Sequence, residues 1–365
     1  MTTTPGSDER MRFEHRTLPQ RVRFAPGDAA AALAEEITAL GASRVMAIAA
    51  KGEAKGEAQV ARRVAGGLPV AHWHHETAMH VPLPVAERAR AAAREHRADA
   101  LVCVGGGSTT GLAKAVALTT GLPIVAVPTT YAGSEATDVW GLAENGRKTT
   151  GADDRVLPRA IVYDASLTLT LPADLSAASG LNAVAHCVDA MWGPRADPID
   201  RALAGEAIRA LRIGLPQVVA DPAGLPGREH TLYGAYLAAV AFASAGSGLH
   251  HKVCHVLGGM FDLPHAQTHA VVLPHVLAFN APAAPDAEAR IAAAFGDDTA
   301  IAGLDRLRAR LHAPRALRDL GMPEDGIAAA VPAVLAAVPA NNPRPVTADD
   351  LTALLRAAWE GTEPR

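Results

Sequence analysis

Histidines with a spacing suited to chemistry are concentrated in residues 248–265. His251 and His255 are four residues apart, so a helix would place both imidazoles on one face, about one turn from each other. A pair of glycines and Pro264 are then expected to end that helix, which would let His265 fold back towards the same face. The alternative is a histidine-rich helix on a solvated surface, but the apolar residues between these histidines argue against it. We therefore expect three imidazoles to converge on one point.

A second stretch supplies another polar pair on a helical pattern. Asn182 and His186 are again four residues apart, within an otherwise apolar run. The two stretches predict two helices that each bring a polar pair into an apolar setting. For His186 and His265 the alternative is a core histidine with satisfied hydrogen bonds. His269 and His275 are expected to be packing or surface residues.

The composition is that of an ordinary globular protein. Apolar residues make up 49% and charged residues 20% of the 365 residues, and the formal net charge is −4. This charge gives no indication of nucleic-acid binding, and no apolar run reaches the roughly 18 residues of a transmembrane helix. The three cysteines, Cys103, Cys187 and Cys254, form no even disulfide framework. We therefore expect buried thiols and a reduced, cytoplasmic setting.

The first part of the chain alternates strands and helices. Residues 1–20 contain no apolar signal core and are predicted to form a flexible lead. Residues 21–167 are predicted to be an open α/β domain, because short apolar runs alternate with helical patterns. The continuous apolar runs 101–104 and 124–127 are typical of strands buried on both faces of a parallel sheet. Further strands are expected at 21–24, 45–49 and 70–74, and helices at 29–40, 57–65, 85–96 and 110–118.

The second part, residues 168–365, is predicted to be an all-helical domain. From about Leu167 the apolar residues recur at helical spacing, with proline and glycine between the segments. The domain boundary should lie between Asp164 and Leu171. The expected helices are 174–191, 198–212, 228–244, 249–258, 266–280, 286–294, 300–311, 325–337 and 348–358.

A glycine turn joins the strand at 101–104 to the following helix. Gly105, Gly106, Gly107 and Ser108 would present backbone N–H groups at a helix N-terminus, which is an anion site suited to a pyrophosphate. The spacing departs from G-x-G-x-x-G, so on its own this stretch is explained equally well as a tight turn.

A second polar loop, residues 128–135, follows the next predicted strand and offers Thr129, Thr130 and Ser134. Polar loops at the carboxyl ends of adjacent parallel strands are where α/β sheets bind nucleotides. The two loops together predict a dinucleotide site.

Longer motifs make the chain resemble the iron-containing alcohol dehydrogenase superfamily, and more closely its maleylacetate reductase branch. The resemblance runs from about Arg21 to Pro343. It implies a dinucleotide-binding α/β domain, a helical domain and an active cleft between them. The motifs that carry it are 105–114 (GGGSTTGLAK), 128–137, 140–142 with 148–151, 155–159, the helix with Asn182 and His186, and 248–265.

Members of the superfamily usually hold one divalent metal through an aspartate and three histidines. The resemblance places these ligands at Asn182, His186, His251 and His265, so asparagine replaces the aspartate. A neutral amide is a poor ligand for a divalent ion. The same replacement is characteristic of maleylacetate reductases, which are generally taken to work without metal. We therefore expect no metal, and we assign Asn182 to substrate binding.

The resemblance also bears on the choice of cofactor. In the superfamily an aspartate after the second strand often contacts the adenosine ribose and disfavours a 2′-phosphate. Here Ala50 stands at that place and Lys51 follows it. Loss of the acid removes the repulsion, and a lysine favours a phosphate. We expect NADH to be used, with appreciable tolerance of NADPH.

The implied reaction is reduction of the carbon–carbon double bond of maleylacetate, or of substituted maleylacetates, to 3-oxoadipate in the degradation of aromatic compounds. Hydride addition leaves negative charge on the ketone oxygen as an enolate. We expect His251 and His255 to stabilise this enolate and deliver the proton in place of a metal. His186 and His265 would complete the polar wall.

The substrate of this reaction is a small dicarboxylate, so cations are expected to face the cleft. Arg155 or Lys148 is the favoured carboxylate clamp, although an ordinary solvated charge explains either residue equally well. Lys252 is a weaker candidate because a helix turns it about 100° away from His251. Tyr131 is expected to offer the substrate a hydroxyl.

Three other functions compete with this interpretation. A metal-dependent alcohol dehydrogenase of the same superfamily would tolerate Asn182 as a weak ligand and would lose activity to a chelator. A dehydroquinate synthase-like lyase shares the domain plan but lacks a stretch like 140–158. A non-catalytic binding module would leave the histidine cleft without a use. Proteins similar to this chain are commonly homodimers, which is the expected assembly, and no nucleic-acid or membrane partner is expected.

Overall fold

A parallel sheet forms the centre of the N-terminal part of the chain. The computed structural model describes residues 11–50, 57–144 and 147–364. The sheet strands in these residues are β1 (Arg21–Phe24), β2 (Val45–Ile48), β3 (Val70–His74), β4 (Ala100–Gly105), β5 (Ile124–Pro128) and β8 (Ala160–Tyr163). They are all parallel and stand in the order β1-β8-β5-β4-β2-β3. The carboxyl ends of β4 and β5, which carry the two predicted dinucleotide loops, are therefore adjacent.

Helices cover both faces of this sheet, as the alternating pattern predicts. Along β4, Val102 lies in the core of one face and Leu101 in the core of the other. The open α/β fold expected from the sequence is confirmed. The helices are α1 (Ala29–Ala39) and α2 (Glu57–Ala65) on the first face, and α3 (Leu83–Glu95) and α4 (Gly107–Thr120) on the second.

A β-hairpin that the sequence analysis missed stands apart from the sheet. Its strands β6 (Val139–Glu144) and β7 (Arg147–Ala152) pair in an antiparallel register. Residues of β6 are exposed or half-buried, so the strand lacks the alternation of apolar and polar residues that would identify it. The hairpin lies near the predicted site, because β7 contacts the helix that carries His251.

The rest of the chain is helical, as predicted. The largest core of this domain is built mainly from alanine, leucine and valine on its long helices. Within the described residues no single helix is long and apolar enough to cross a membrane, although α7 and α8 meet that test together as a pair bent by 98°. The helices are α5 (Ala173–Trp192), α6 (Pro198–Ala220), α7 (Leu225–Ala245), α8 (Leu249–Phe261), α9 (His265–Asn280), α10 (Pro285–Phe295), α11 (Ala300–Arg310), α12 (Gly326–Ala337) and α13 (Ala348–Glu360).

The helix that carries His251 is longer than predicted. We expected its paired glycines to end it, but α8 continues through both of them to Phe261. Asp262 then adopts a left-handed conformation, with φ 50°, and His265 opens α9. Leu257 and its neighbours on α8 are packed in a buried core. Each glycine in a helix costs roughly 1 kcal/mol relative to alanine, and this burial offsets that cost.

The segment 11–20 lies along the folded domains, although it belongs to the stretch that we expected to be a flexible lead. Nδ1 of His15 is 2.8 Å from a carboxylate oxygen of Asp197 in the helical domain. Gln20 donates from its amide to two backbone carbonyls, at 2.8 and 2.9 Å. Side-chain hydrogen bonds therefore hold this segment in place. Residues 1–10 lie outside the described residues.

Candidate active site

The four histidines predicted to share one site lie together where α5, α8 and α9 pack against one another. The rings of His186 on α5 and His251 on α8 are nearly parallel, with their centroids 4.9 Å apart. His255 lies one turn further along α8, 5.9 Å from His251 between ring centroids. His265, at the start of α9, lies 6.3 Å from His255. The structure thus brings together the imidazoles that their spacing selected.

Two further histidines complete the cluster. His269, which we expected to be a packing or surface residue, lies 4.8 Å from His251 and 4.4 Å from His265 between ring centroids. His250 lies next to it, with 2.9 Å between Nε2 of His250 and Nδ1 of His269. His265 and His269 are four residues apart on one helix, so the spacing that selected His251 and His255 could also have identified His269.

A buried carboxylate that the sequence analysis missed orients His251. Asp189 on α5 is fully buried, and its Oδ2 lies 2.7 Å from Nδ1 of His251. The same oxygen accepts backbone N–H bonds from Gly248 at 3.0 Å and from His251 at 3.2 Å. A Cβ on Gly248 would lie 2.4 Å from Oδ1 of Asp189, so a glycine lets α8 begin this close to the carboxylate. His251 donates its Nδ1 proton to Asp189, which leaves Nε2 for other partners.

Burial keeps four of these imidazoles neutral. Desolvation lowers the pKa of His186 to about 4 and the pKa of His250 to about 3. It also lowers the pKa values of His251 and His269 well below the ordinary value, and neighbouring imidazoles lower them further. The same burial raises the pKa of Asp189 to about 7, against the opposing effect of its hydrogen bonds. A proton delivered from this cluster must therefore be stabilised by an anion close by.

Several buried polar atoms on α5 and α8 have no hydrogen-bond partner among the described residues. They include Oδ1 of Asn182, Nδ1 of His186 and Nε2 of His251. The ring of Phe242 closes one side of this region, 4.7 Å from His186 and 4.3 Å from His251 between ring centroids. Buried polar atoms in native structures normally have partners. The arrangement is therefore suited to a polar ligand or to ordered water.

The predicted glycine turn has the geometry of an anion cradle. Helix α4 begins after Gly106, its N-cap, which has no side chain to bond the N–H groups of the first turn. A Cβ on Gly105 would lie 2.6 Å from Oγ1 of Thr109, and one on Gly106 would lie 2.8 Å from Cγ2 of Thr130. These close approaches require glycine. The turn fits a pyrophosphate, which would accept N–H bonds at the start of the helix.

The other residues predicted to contact the cofactor lie at the same edge of the sheet. The backbone N–H of Thr129 donates to the carbonyl of Gly105 at 3.1 Å, which joins the two loops directly. Thr129 itself is buried, so its side chain is the least accessible of the set. The partly exposed residues are Ala50, Gly105, Gly106, Gly107, Ser108, Thr130 and Ser134. Lys51 lies outside the described residues.

The loop after β5 joins the predicted cofactor site to the histidine cluster. Gly133 has a left-handed conformation, with φ 76°. A Cβ on this residue would lie 2.8 Å from Cβ of Ala239 on α7 and 3.5 Å from Cε1 of His186. The loop after β5 therefore lies directly against α7 and against His186 on α5.

A buried lysine holds this loop and the hairpin in place. Nζ of Lys114, on α4, donates to the backbone carbonyls of Thr137 and Val139, each at 2.8 Å. The side chain is fully buried, and desolvation lowers its pKa to about 7. Lys114 lies in the quoted glycine motif, but its anchoring role was not predicted.

The structure does not support the favoured carboxylate clamp. Arg155 is exposed, and its Nε and Nη2 already donate to the two carboxylate oxygens of Asp153, at 2.9 and 2.7 Å. The bidentate face of its guanidinium is thus occupied within its own turn. Lys148 is on β7, and its side chain lies outside the part of the chain that the structure describes. Lys252 is partly exposed on α8, directly after His251.

Tyr131 is also placed differently from the prediction. Its side chain is fully buried, and its hydroxyl lies 3.3 Å from Nη1 of Arg228 and 3.5 Å from Oγ1 of Thr168. Arg228, which is itself buried, uses its guanidinium to tie this tyrosine to α7. The hydroxyl is used inside the core, so Tyr131 supports the loop after β5 and is not a substrate contact.

Two family models match the chain. The model for iron-containing alcohol dehydrogenase covers residues 19–165, and the model for the C-terminal part of the Fe-containing alcohol dehydrogenase family covers residues 176–359. The chain therefore belongs to the iron-containing alcohol dehydrogenase family. The crystal structure of an iron-containing alcohol dehydrogenase from Corynebacterium glutamicum superposes with a TM-score of 0.94 at 60% identity, over 98% of this chain and 99% of that one.

Within this family the chain falls in the maleylacetate reductase branch. The maleylacetate reductase of Sphingobium indicum is 46% identical over 354 residues, which are 97% of this chain and 99% of the relative. The crystal structure of maleylacetate reductase from Agrobacterium tumefaciens has a TM-score of 0.90 at 42% identity, over 97% of this chain and 100% of that one. The protein is thus an oxidoreductase that requires a nicotinamide cofactor.

The family also implies a divalent metal, and the residues at the implied positions do not fit one. Asn182 supplies no negative charge, and the nearby carboxylate of Asp189 is already bonded to Nδ1 of His251. The implied positions thus lack the anionic ligand that the family uses, and neutral side chains alone would hold the ion. Two other groups of described residues have ligand atoms that all lie within 4.8 Å of one another. One is His250 with Cys254 and His269, and the other is His15 with Asp197 and Asp200.

Proposed function

We propose that the protein reduces the carbon–carbon double bond of maleylacetate and of substituted maleylacetates, without a metal ion. Maleylacetate, NADH and one proton give 3-oxoadipate and NAD⁺. Hydride from C4 of the nicotinamide adds to the alkene carbon β to the ketone, and the electron pair of the double bond moves to the ketone oxygen as an enolate. The enolate then takes a proton at the α-carbon, which is the former alkene carbon bonded directly to the ketone carbonyl.

The observation that carries this proposal is the Asp189–His251 pair, which joins α5, the helix that also carries Asn182, to α8. The enolate needs a partner for its negative charge, and in a metal enzyme the ion would fill that role. Here a neutral asparagine stands where the family has an aspartate that binds the metal. His251 is backed by the buried carboxylate of Asp189, 2.7 Å away. An imidazole held in this way accepts a proton on Nε2 more readily, because Asp189 stabilises the imidazolium that forms.

The proton is supplied by His251 and His255, acting with the substrate. The buried imidazoles are neutral on their own, because desolvation lowers the pKa of His251 well below its ordinary value. A bound dianion opposes that shift, since a negative charge close to an imidazole raises its pKa. Binding of the substrate dianion thus favours protonation of the imidazole. His255 is only partly buried and provides a path for that proton from solvent.

Recognition of the two substrate carboxylates is assigned to α8 and the hairpin. Lys252 is on α8, partly exposed, and stands between His251 and His255 along the helix. Because β7 contacts α8, Lys148 belongs to the strand that lies over the same helix. We therefore favour Lys252, with Lys148, over Arg155, whose guanidinium is already paired with a carboxylate.

Cofactor binding is assigned to the turn at Gly105–Ser108 and the loop with Thr130 and Ser134. NADH is the expected donor and NADPH should also be accepted, because Ala50 offers no negative charge to repel a 2′-phosphate. We also retain a homodimer and a cytoplasmic setting as parts of the proposal. Strand β1 is an edge strand of the sheet, and Phe24 at its end is partly exposed, which suits pairing with a second copy.

Deuterium transfer tests the proposed chemistry. NADH carrying deuterium at the transferred C4 position should place the label in 3-oxoadipate at the carbon β to the ketone, where it does not exchange with solvent. A label found at a carbinol carbon would show that the ketone is reduced instead, which is alcohol dehydrogenase chemistry. Absence of turnover on freshly prepared maleylacetate, with NADH binding intact, would also overturn the proposal.

A further inference from the structure

A second group of ligand-type side chains adjoins the histidines of the candidate active site. His250 and Cys254 are four residues apart on α8, and His269 faces them from α9. Their exposed fractions are 0%, 2% and 0%. None of the three belongs to the ligand set that the family relation implies, and none has a role in the proposed reaction.

The three ligand atoms converge. Nε2 of His250 lies 2.9 Å from Nδ1 of His269 and 3.6 Å from Sγ of Cys254. All three atoms lie within 4.8 Å of one another. Metal–nitrogen bonds of about 2.0 Å and metal–sulfur bonds of about 2.3 Å require ligand atoms at such separations, so a small ion can sit among these atoms with little movement of either helix.

The protonation of the two imidazoles can adapt to such an ion. Without an ion, one N–H bridges His250 and His269. The other nitrogens, Nδ1 of His250 and Nε2 of His269, have no hydrogen-bond partner among the described residues. Each ring can therefore carry its single proton on that outer nitrogen and turn a lone pair towards the ion.

Charge decides which ion the site takes. The thiol of Cys254 must lose its proton to bind as thiolate, and burial opposes that loss by raising its pKa. A monovalent ion with one thiolate and two neutral imidazoles forms a neutral unit, whereas a divalent ion would leave a positive charge in the core. Thiolate and imidazole are also ligands that soft ions accept.

We propose that His250, Cys254 and His269 form a buried binding site for one soft monovalent cation, of which Cu(I) is the biological example. In binding, the cation replaces the thiol proton, which is released to solvent, and the sulfur–metal bond forms without any change of oxidation state. This proposal does not depend on the proposed function, since binding can be measured on the protein without substrate or cofactor.

Anaerobic titration with Cu(I) against a competing chromogenic chelator tests the site. Wild-type protein should take up one equivalent and develop a thiolate-to-copper absorption band in the ultraviolet. Cys254→Ala should lose the band and weaken binding by about 100-fold or more. The matched control Cys187→Ala, which removes another buried thiol, should keep both. X-ray absorption of the wild-type complex should show one sulfur and two nitrogen ligands, a measurement that needs no variant to fold.

Three results would overturn the site. Wild-type protein that takes no Cu(I) from the chelator has no such site. Binding unchanged in Cys254→Ala would exclude the thiolate. Binding that survives in Cys254→Ala but is lost in His186→Asn would place the ion in the cleft instead.

Discussion

The carboxylate of Asp189 lies 2.7 Å from Nδ1 of His251, and neither side chain meets solvent. Backbone N–H groups at the start of α8 bond the same carboxylate oxygen, so one acid fixes both the helix and the histidine. The pair leaves one defined nitrogen, Nε2, for chemistry. In this account the pair does the work that a metal ion does elsewhere in the family, because it makes a positive charge tolerable beside the enolate.

Asp189→Asn should lower kcat by about 100-fold or more while leaving the Kd for NADH unchanged. The amide can offer its NH₂ group to Nδ1 and so favour the wrong tautomer of His251, and it cannot stabilise the imidazolium. Steady-state kinetics and NADH fluorescence titration measure the two quantities. Asp164→Asn is the matched control, since Asp164 is also buried and accepts backbone N–H bonds from Gly27 and Ser166. Equal losses in both variants would reduce Asp189 to a structural role.

His255→Gln should lower kcat by about 10²–10⁴-fold, the usual contribution of a general acid. Glutamine keeps the size and a hydrogen-bond donor but cannot relay a proton at neutral pH. The exposed His230→Gln variant serves as the control and should match wild type. If the His255 variant retained kcat within about threefold, proton delivery would have to be assigned to another group.

The protein should lose stability as the pH falls from about 6.5 towards 4. Burial lowers the pKa values of His186 and His275 to about 4 and that of His250 to about 3, whereas unfolded histidines titrate near 6.5. Within this window the unfolded chain binds protons that the folded chain does not, so the free energy of unfolding falls as the pH falls. Asp189 and Asp200, with pKa values raised to about 7 and about 6, oppose the trend but are fewer.

Denaturant unfolding between pH 7.5 and 5 measures this dependence. His275→Gln removes one depressed group outside the catalytic cluster and should reduce the slope by at most about 1.4 kcal/mol per pH unit, the value for one proton. His230→Gln, on the surface, should leave the slope unchanged. A wild-type stability that rises on acidification through this window would contradict the assignment of neutral buried histidines.

Ala50→Asp should shift cofactor preference towards NADH by about tenfold or more. The new carboxylate follows β2 at the edge of the sheet that holds the glycine turn, where it would repel a 2′-phosphate. The ratio of kcat/KM for NADH and NADPH measures the effect. Ala91→Asp adds the same charge at an exposed position on α3 and should leave the ratio unchanged. A similar shift in both variants would mean that net charge, not position, controls the choice.

The fold was predictable from periodicity because its main elements are strongly patterned. Strands such as β4 are continuous apolar runs, and long helices such as α5 repeat their apolar residues at helical spacing. The hairpin was missed because its stability comes from pairing and from the anchor at Lys114, which leave no apolar pattern in the sequence. The glycines of α8 were misinterpreted because tertiary packing overrides their weak helix propensity.

The candidate site was predictable where the chemistry follows local spacing. His251 and His255 are four residues apart on one helix, and the structure brings them together with His186 and His265. Asp189 could not be found this way, because its partner is 62 residues away in the chain. The structure does not support Arg155 as the carboxylate clamp, for a similar reason. Whether Arg155 is free depends on Asp153, and two residues of a short turn carry no signal of their pairing.

The most direct test of metal-free reduction is NADH oxidation with freshly generated maleylacetate, with and without a strong chelator, alongside metal analysis of the same sample. Asn182→Asp restores the family's anionic ligand and serves as the positive control for metal detection, because this variant should bind a metal ion. Asn280→Asp is the matched control at another buried asparagine. The account predicts rapid wild-type turnover that is unaffected by the chelator, in protein that lacks stoichiometric iron or zinc. Turnover abolished by the chelator and restored by iron or zinc would contradict it and would identify a metal enzyme.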